Sequence, residues 1–198
     1  TERIAGFISG MPTEELPREA LDKARLGITD FVGVALAGSR EELGGIIRAY
    51  GIQMGGAAAA TIIAGSAKTS PETAALLNGT LGHALDYDDM SVSPIAHPSV
   101  FLAPALLALG ESIGASGRDA LAAYVVGYEV AACVAEPMFQ SHYVQGWHGT
   151  STFGSLGAAA AAAWLLRLPP RQVRMAMGIS ASLACGLRQN FGTMTKPL

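Results

Sequence analysis

The chain has 198 residues, half of them hydrophobic and 15% charged, with 13 basic against 16 acidic residues for a formal charge of −3. That length holds one large domain or two small ones, and the apolar share is enough for a sizeable core. No Lys/Arg run and no interleaving of basic with aromatic residues occurs, which argues against nucleic-acid binding.

The apolar content is mostly alanine and leucine, with 24 glycines and 7% aromatics. Closely packed helices suit that mixture better than a β-sandwich, so the expected class is all-α. The opening residues, TERIAGFISG, lack the basic flank and apolar run of a signal peptide. Residues 17–38 place Leu21, Ala24, Ile28, Phe31, Val32 and Ala35 at helical spacing, with Pro17 in the first turn and Gly38 at the stop. A shorter helix is expected over 40–51. In 56–70, Thr61 to Ile63 read as a strand or hairpin edge, with Gly65 turning the chain; at most a short hairpin near 57–68 is expected.

Ser70, Pro71 and Glu72 open a helix over 70–85. A polar stretch, 86–97, ends it. Further helices are expected over 97–112, over 116–138 with Ser116 as N-cap, and, after a break at 139–149, over 150–168 and 169–187. The tail from Arg188 is not periodic. The run LGAAAAAAWLL (156–166) is well short of the ~20 residues that span a bilayer and reads as a buried core helix. Gly154 and Gly157 beside it mark a second helix at close approach. Cys133 and Cys185 each sit alone on an apolar helical pattern, which reads as two buried small side chains in a reducing cytosol.

The chemistry concentrates in two polar islands. The first is HALDYDDMSVSPIAHPS (83–99), where Asp86, Asp88 and Asp89 lie between His83 and His97. The second is QGWHGTST (145–152), which contains His148. No G-x-S-x-G elbow occurs, because Phe153 stands where GTSTFG would need glycine. Phosphate-loop and dinucleotide fingerprints are also missing. His83, Asp86 and Asp89 are spaced three apart, as a helical metal site would require. Against a metal, there is no H-E-x-x-H and the calcium-loop pattern fails. Three uncompensated carboxylates would repel, so Asp88 or Asp89 is expected to cap a helix or pair with a basic group. Each of His97 and His148 precedes a predicted helix, where free N–H groups favour an anion. Two such ends converging would hold a polycarboxylate beside imidazoles able to move protons near neutral pH.

The segments NGTLGHALDYDDM, AHPSV, GYEV, GWHGTSTFGSLGAAAAAAWLL and GISASLACGL, with GTMTKPL at the end, together resemble the MmgE/PrpD family. The likeness runs from about Ala20 to Leu198. Members include 2-methylcitrate dehydratases, cis-aconitate decarboxylases and iminodisuccinate epimerases. The resemblance implies a helical domain, of which 1–198 is the N-terminal portion, joined in the family to an α/β lid that this chain lacks. It implies a typically homodimeric enzyme that uses neither metal nor organic cofactor and acts beside a carboxylate of a di- or tricarboxylic acid; the cytoplasmic location expected rests on the cysteines. It places the family's catalytic aspartate on Asp86, its two histidines on His97 and His148, and its lysine on Lys196. Nothing carries over onto Met90 to Ile95. The chain stops two residues past Lys196, so it is expected to be a fragment, a subunit completed by a second polypeptide, or catalytically silent. A metal-dependent helical hydrolase is the remaining alternative.

Overall fold

Helical periodicity carries through into the computed structural model, which describes residues 1–92 and 95–198, with Phe139 described by its backbone alone. Among these residues the helices are α1 (Glu2–Gly10), α2 (Arg18–Gly38), α3 (Glu42–Met54), α4 (Pro71–His83), α5 (Pro98–Ile113), α6 (Gly117–Ala135), α7 (Phe139–Val144), α8 (Gly149–Leu165) and α9 (Pro170–Leu183). The one sheet described is the expected hairpin, β1 (Ala60–Thr61) against β2 (Lys68–Thr69), with Ala60 opposite Thr69. The all-α expectation holds. Two elements escaped it: α1, and the short α7 inside the predicted break. Ser93 and Pro94 of the polar stretch lie outside the described residues.

Local chemistry sets the helix starts. Ser70 Oγ accepts from Thr73 N at 3.3 Å, with Pro71 in the first turn. Ser116 Oγ accepts from Asp119 N at 3.1 Å and donates to Asp119 Oδ2 at 2.7 Å, closing the first turn of α6 on itself.

Helix α8 is the axis of the fold. It packs against α5, α6, α9 and α1, and no residue from Ser151 to Leu165 is exposed. An all-round apolar helix needs cover on every side; here the α6 side is closed, while Ser151, Ser155 and Ala158 are only half-buried. Gly127 of α6 and Gly157 of α8 let the two backbones touch: a Cβ on Gly127 would lie 2.7 Å from the Gly157 carbonyl oxygen, and one on Gly157 would lie 3.0 Å from that of Gly127. The close approach expected at Gly157 is therefore present, with α6 as the neighbour; at Gly154 the neighbour is Phe101 of α5. The main core gathers Leu102, Val126, Val130, Ala161 and Trp164, while Phe31, Leu77, Leu81 and Ala103 form a second cluster where α2, α4 and α5 meet.

Residues 117–138 form one stretch long and apolar enough to cross a bilayer by length and composition. Its Ala122, Val126, Val130 and Ala131 are buried in the core, and the core helix of a globular fold passes the same test. The cysteine expectation fails. Both are exposed thiols, Cys133 on the outer face of α6 and Cys185 in the extended segment just past α9.

Candidate active site

The first island is built by a helix that stops early. Helix α4 ends at His83, two residues short of the expected span, and Asp86 takes a left-handed conformation with φ 51°. Aspartate tolerates that region better than most residues. The turn separates the carboxylates: Asp86 and Asp89 do not share a helical face, and the proposed His83–Asp86–Asp89 metal geometry falls with it. Asp89 instead accepts from Ser99 N at 3.0 Å and from Ser99 Oγ at 2.6 Å. It thereby caps α5, whose N-cap His97 makes no side-chain cap bond. Ser99 Oγ is also 2.7 Å from the Tyr124 hydroxyl, which ties the cap to α6.

Asp88 turns the other way and is fully buried. Its oxygens lie 2.9 and 3.0 Å from His83 Nδ1, and one of them is 3.3 Å from His97 Nδ1, a charge contact rather than an aligned hydrogen bond. His97 Nε2 lies 3.7 Å from Asp86 Oδ1. As expected for this pair, Asp89 caps a helix and Asp88 meets basic groups.

The second island is the N-terminus of α8. His148 is its N-cap, and His148 N donates to Gly186 O at 3.0 Å. Gly186 has φ 113°, and a Cβ there would lie 2.4 Å from Ser151 Cβ, so glycine is required on both counts. Arg188 N donates to Gly146 O at 2.9 Å, holding the segment after α9 against residues 146–148. That segment then delivers Lys196, whose side chain is 4% exposed and whose Nζ donates to Asp86 Oδ1. Thr150 Oγ1 accepts from His97 N at 3.1 Å, joining the two helix starts.

The four residues singled out from sequence thus come together, and His83 sits among them. Its ring centroid is 4.8 Å from that of His97 and 6.2 Å from that of His148. The electrostatics divide the histidines. Burial works against a charge on His97, but the Asp88 carboxylate outweighs it and raises its pKa above the ordinary value. His148 is pushed down to about 4, by burial first and then by Lys196 and the other imidazoles. Burial alone would raise Asp88; its contacts with His83 and His97 bring it down to about 2. Asp86 is also lowered, because Lys196 outweighs its partial burial. Two adjoining cavities of about 370 and 390 Å³ share His83 and Lys196 in their walls; the first adds His148 and Thr150, the second Asp86.

His83, Asp86, Asp88 and His97 each offer a ligand atom, all within 4.8 Å of one another. The donor set would suit a divalent ion by composition. The Lys196 ammonium on Asp86 and the imidazoles on Asp88, however, already supply cationic and N–H partners where an ion would sit.

The family model of the MmgE/PrpD N-terminal domain matches residues 2–198. The chain belongs to the MmgE/PrpD family. Among its curated relatives, a cis-aconitate decarboxylase of Mus musculus is 32% identical over all of this chain and 42% of its own length. One of Homo sapiens is 31% identical with the same coverage, and the cis-aconitate decarboxylase-like protein oryM of Aspergillus oryzae is 31% identical over 94% of this chain and 40% of its own length. The chain spans about two-fifths of the relatives it matches. Within the MmgE/PrpD helical domain, sequence reasoning passed over His83 and Asp88 as members of this side-chain cluster. His83 entered only as a metal ligand, and the signal available was its place at the very end of a helix, five residues before an aspartate.

Proposed function

We propose that this chain carries the helical half of the active site of a lyase or isomerase that works beside a carboxylate of a di- or tricarboxylic acid. The supporting observation is that Lys196 and His97 converge on Asp86 beside cavities walled by Lys196, Asp86 and His148, with the two histidines driven in opposite directions. Groups pushed apart in this way divide the work of acid and base. Removing a proton from the carbon beside a carboxylate, or losing CO2 from it, leaves an electron pair that adds charge to an anion; in a dehydration that charge then leaves with the β-hydroxyl. Lys196 and a protonated His97 are preorganised to offset it, together with the N-termini of α5 and α8. Neutral His148 is suited to move a proton at a second atom of the substrate.

The names of the relatives favour decarboxylation of a tricarboxylate of the cis-aconitate class over dehydration or epimerisation. In that reaction the C–C bond to one carboxylate breaks, CO2 leaves, and the electron pair stays on the carbon framework until it takes up a proton. The reading needs neither metal nor organic cofactor. It includes a homodimer, or a second segment of chain, to complete the cavity wall. It also includes a cytoplasmic location, which two unpaired cysteines fit. The test is NMR of the full-length protein with a panel of di- and tricarboxylates in D2O, with and without EDTA. Turnover with deuterium entering the carbon beside a carboxylate, unaffected by EDTA, is expected. No reaction with any member of the panel would overturn the proposal, and loss of turnover to EDTA would favour a metal-dependent enzyme.

A further inference from the structure

We infer that His83 is a catalytic residue of this site, the imidazole that exchanges a proton with the substrate carbon, and that Asp88 is its positioning carboxylate. The inference rests on the function proposed above and names a further residue for it.

His83 is the imidazole that lines both cavities, and Lys196 is the cation that does the same. Its Nδ1 is held by both oxygens of a fully buried carboxylate, at 2.9 and 3.0 Å. An ionised Asp88 only accepts, so Nδ1 carries the ring proton and Nε2 carries the lone pair. That Nε2 is buried and has no hydrogen-bond partner among the described residues. A buried polar atom left unpaired at a site calls for a reason, and a reacting ligand supplies one. A carboxylate behind Nδ1 and a free Nε2 in front is the arrangement that fixes a tautomer and stabilises the imidazolium formed when Nε2 takes a proton.

The neighbouring imidazoles are placed for other work. His97 faces Asp86 through Nε2 at 3.7 Å. His148 has no carboxylate hydrogen-bonded to it among the described residues, and Lys196 and two imidazoles face it. His83 differs in geometry: the Asp88 carboxylate sits directly on its Nδ1. In the proposed step, the substrate C–H bond breaks, the electron pair delocalises into the adjacent carboxylate, and the proton passes to His83 Nε2. In the decarboxylating direction no C–H bond breaks: the C–C bond to the carboxylate breaks, CO2 leaves with the pair remaining on carbon, and His83, having taken a proton from water at Nε2, gives it to that carbon. His148 then serves the second atom of the substrate.

The experiment uses the full-length protein and the polycarboxylate that the wild type turns over. His83→Gln is expected to lower kcat by 10²-fold or more with KM within about threefold, the scale of losing a general base, and to abolish C–H exchange in D2O. His148→Gln should retain that exchange while losing net turnover. Far-UV circular dichroism and the thermal midpoint establish that each variant is folded. Long-range 1H–15N spectra of the histidine rings provide a readout independent of the reaction: His83 should be the Nδ1–H tautomer in the wild type and should lose that bias in Asp88→Asn. Wild-type kcat in His83→Gln, or an Nε2–H tautomer for His83 in the wild type, would overturn the inference and leave the proposed function standing. A wild type inert toward every polycarboxylate would remove the proposed function itself.

Discussion

At the scale of single residues, the site depends on a division of charge among three imidazoles and two carboxylates. His97 is held protonated to higher pH than a free histidine, and His148 stays neutral down to about 4. Turnover should therefore fall on two sides. It declines as pH rises through the raised His97 pKa, where the cation is lost, and again as pH drops toward about 4, where His148 acquires a charge. A kcat profile of the full-length protein with no alkaline decline above the ordinary imidazole value of 6.5 would remove His97 from the charged role. Asp88 has the opposite sign: its folded pKa is depressed to about 2. The stability it contributes is present above the ordinary carboxylate value near 4 and is lost as pH falls from there to about 2. Asp88→Asn should flatten that part of the acid-unfolding curve. In the full-length enzyme, His148→Ala should lower turnover by roughly 10²-fold or more. Lys196→Ala should raise KM and lower kcat together, since its charge acts on bound and reacting substrate alike. Wild-type kinetics in either variant would take that residue out of the mechanism.

At the scale of elements, packing overrides intrinsic preference at identifiable points. Alanine is favoured over glycine inside a helix by about 1 kcal/mol. At Gly33, on the exposed face of α2, an added Cβ meets nothing within 4 Å, so Gly33→Ala should stabilise by about that amount. At Gly127 the same Cβ would lie 2.6 Å from a Leu102 methyl, 2.7 Å from the Gly157 carbonyl and 2.8 Å from Ala161 Cβ. Backbone cannot give way there, and overpacking of about 1–3 kcal/mol outweighs propensity. Urea unfolding of the two variants should move the midpoint in opposite directions; a stabilised Gly127→Ala would contradict the α6–α8 contact. Most of the helices were legible because their signals are local: Ser70 and Ser116 as caps, Phe31 and Ala35 on one stripe, prolines at the starts. Helix α7 was not, since six residues give too few periods to register. The partners of Asp88 and Asp89 were not legible either. They follow from the left-handed turn at Asp86, which throws two adjacent carboxylates to opposite sides. The polar islands themselves stood out because the chain around them is apolar, while Lys196 became a candidate through family resemblance, having no periodic or capping pattern of its own.

At the scale of the whole molecule, the apolar surface left uncovered is not where helix composition would place it. The alanine-rich α8 has no exposed residue from Ser151 to Leu165. The open stripe runs along α9 through Met175, Ile179 and Leu183, which are 59–70% exposed, with Ile52 of α3 at 78%. Patches of this kind mark contact with further protein. The 198 residues alone should associate or precipitate. A stable monomer in sedimentation analysis, soluble at high concentration, would mean that the α9 stripe is ordinary surface.

The ion pair between Asp86 and Lys196 joins positions 110 residues apart. Between them lie α5 to α9, and contacts of such sequence separation are rewarded only after the intervening chain has been ordered. During synthesis the aspartate and its neighbouring histidines leave the ribosome long before the lysine is made. A nascent chain with most of its helices in place therefore carries acidic and imidazole groups without their counter-cation. The first island and the lysine meet in one late event, when the segment beyond α9 closes, and a chain arrested before that moment is folded in outline with this part of the site unmade.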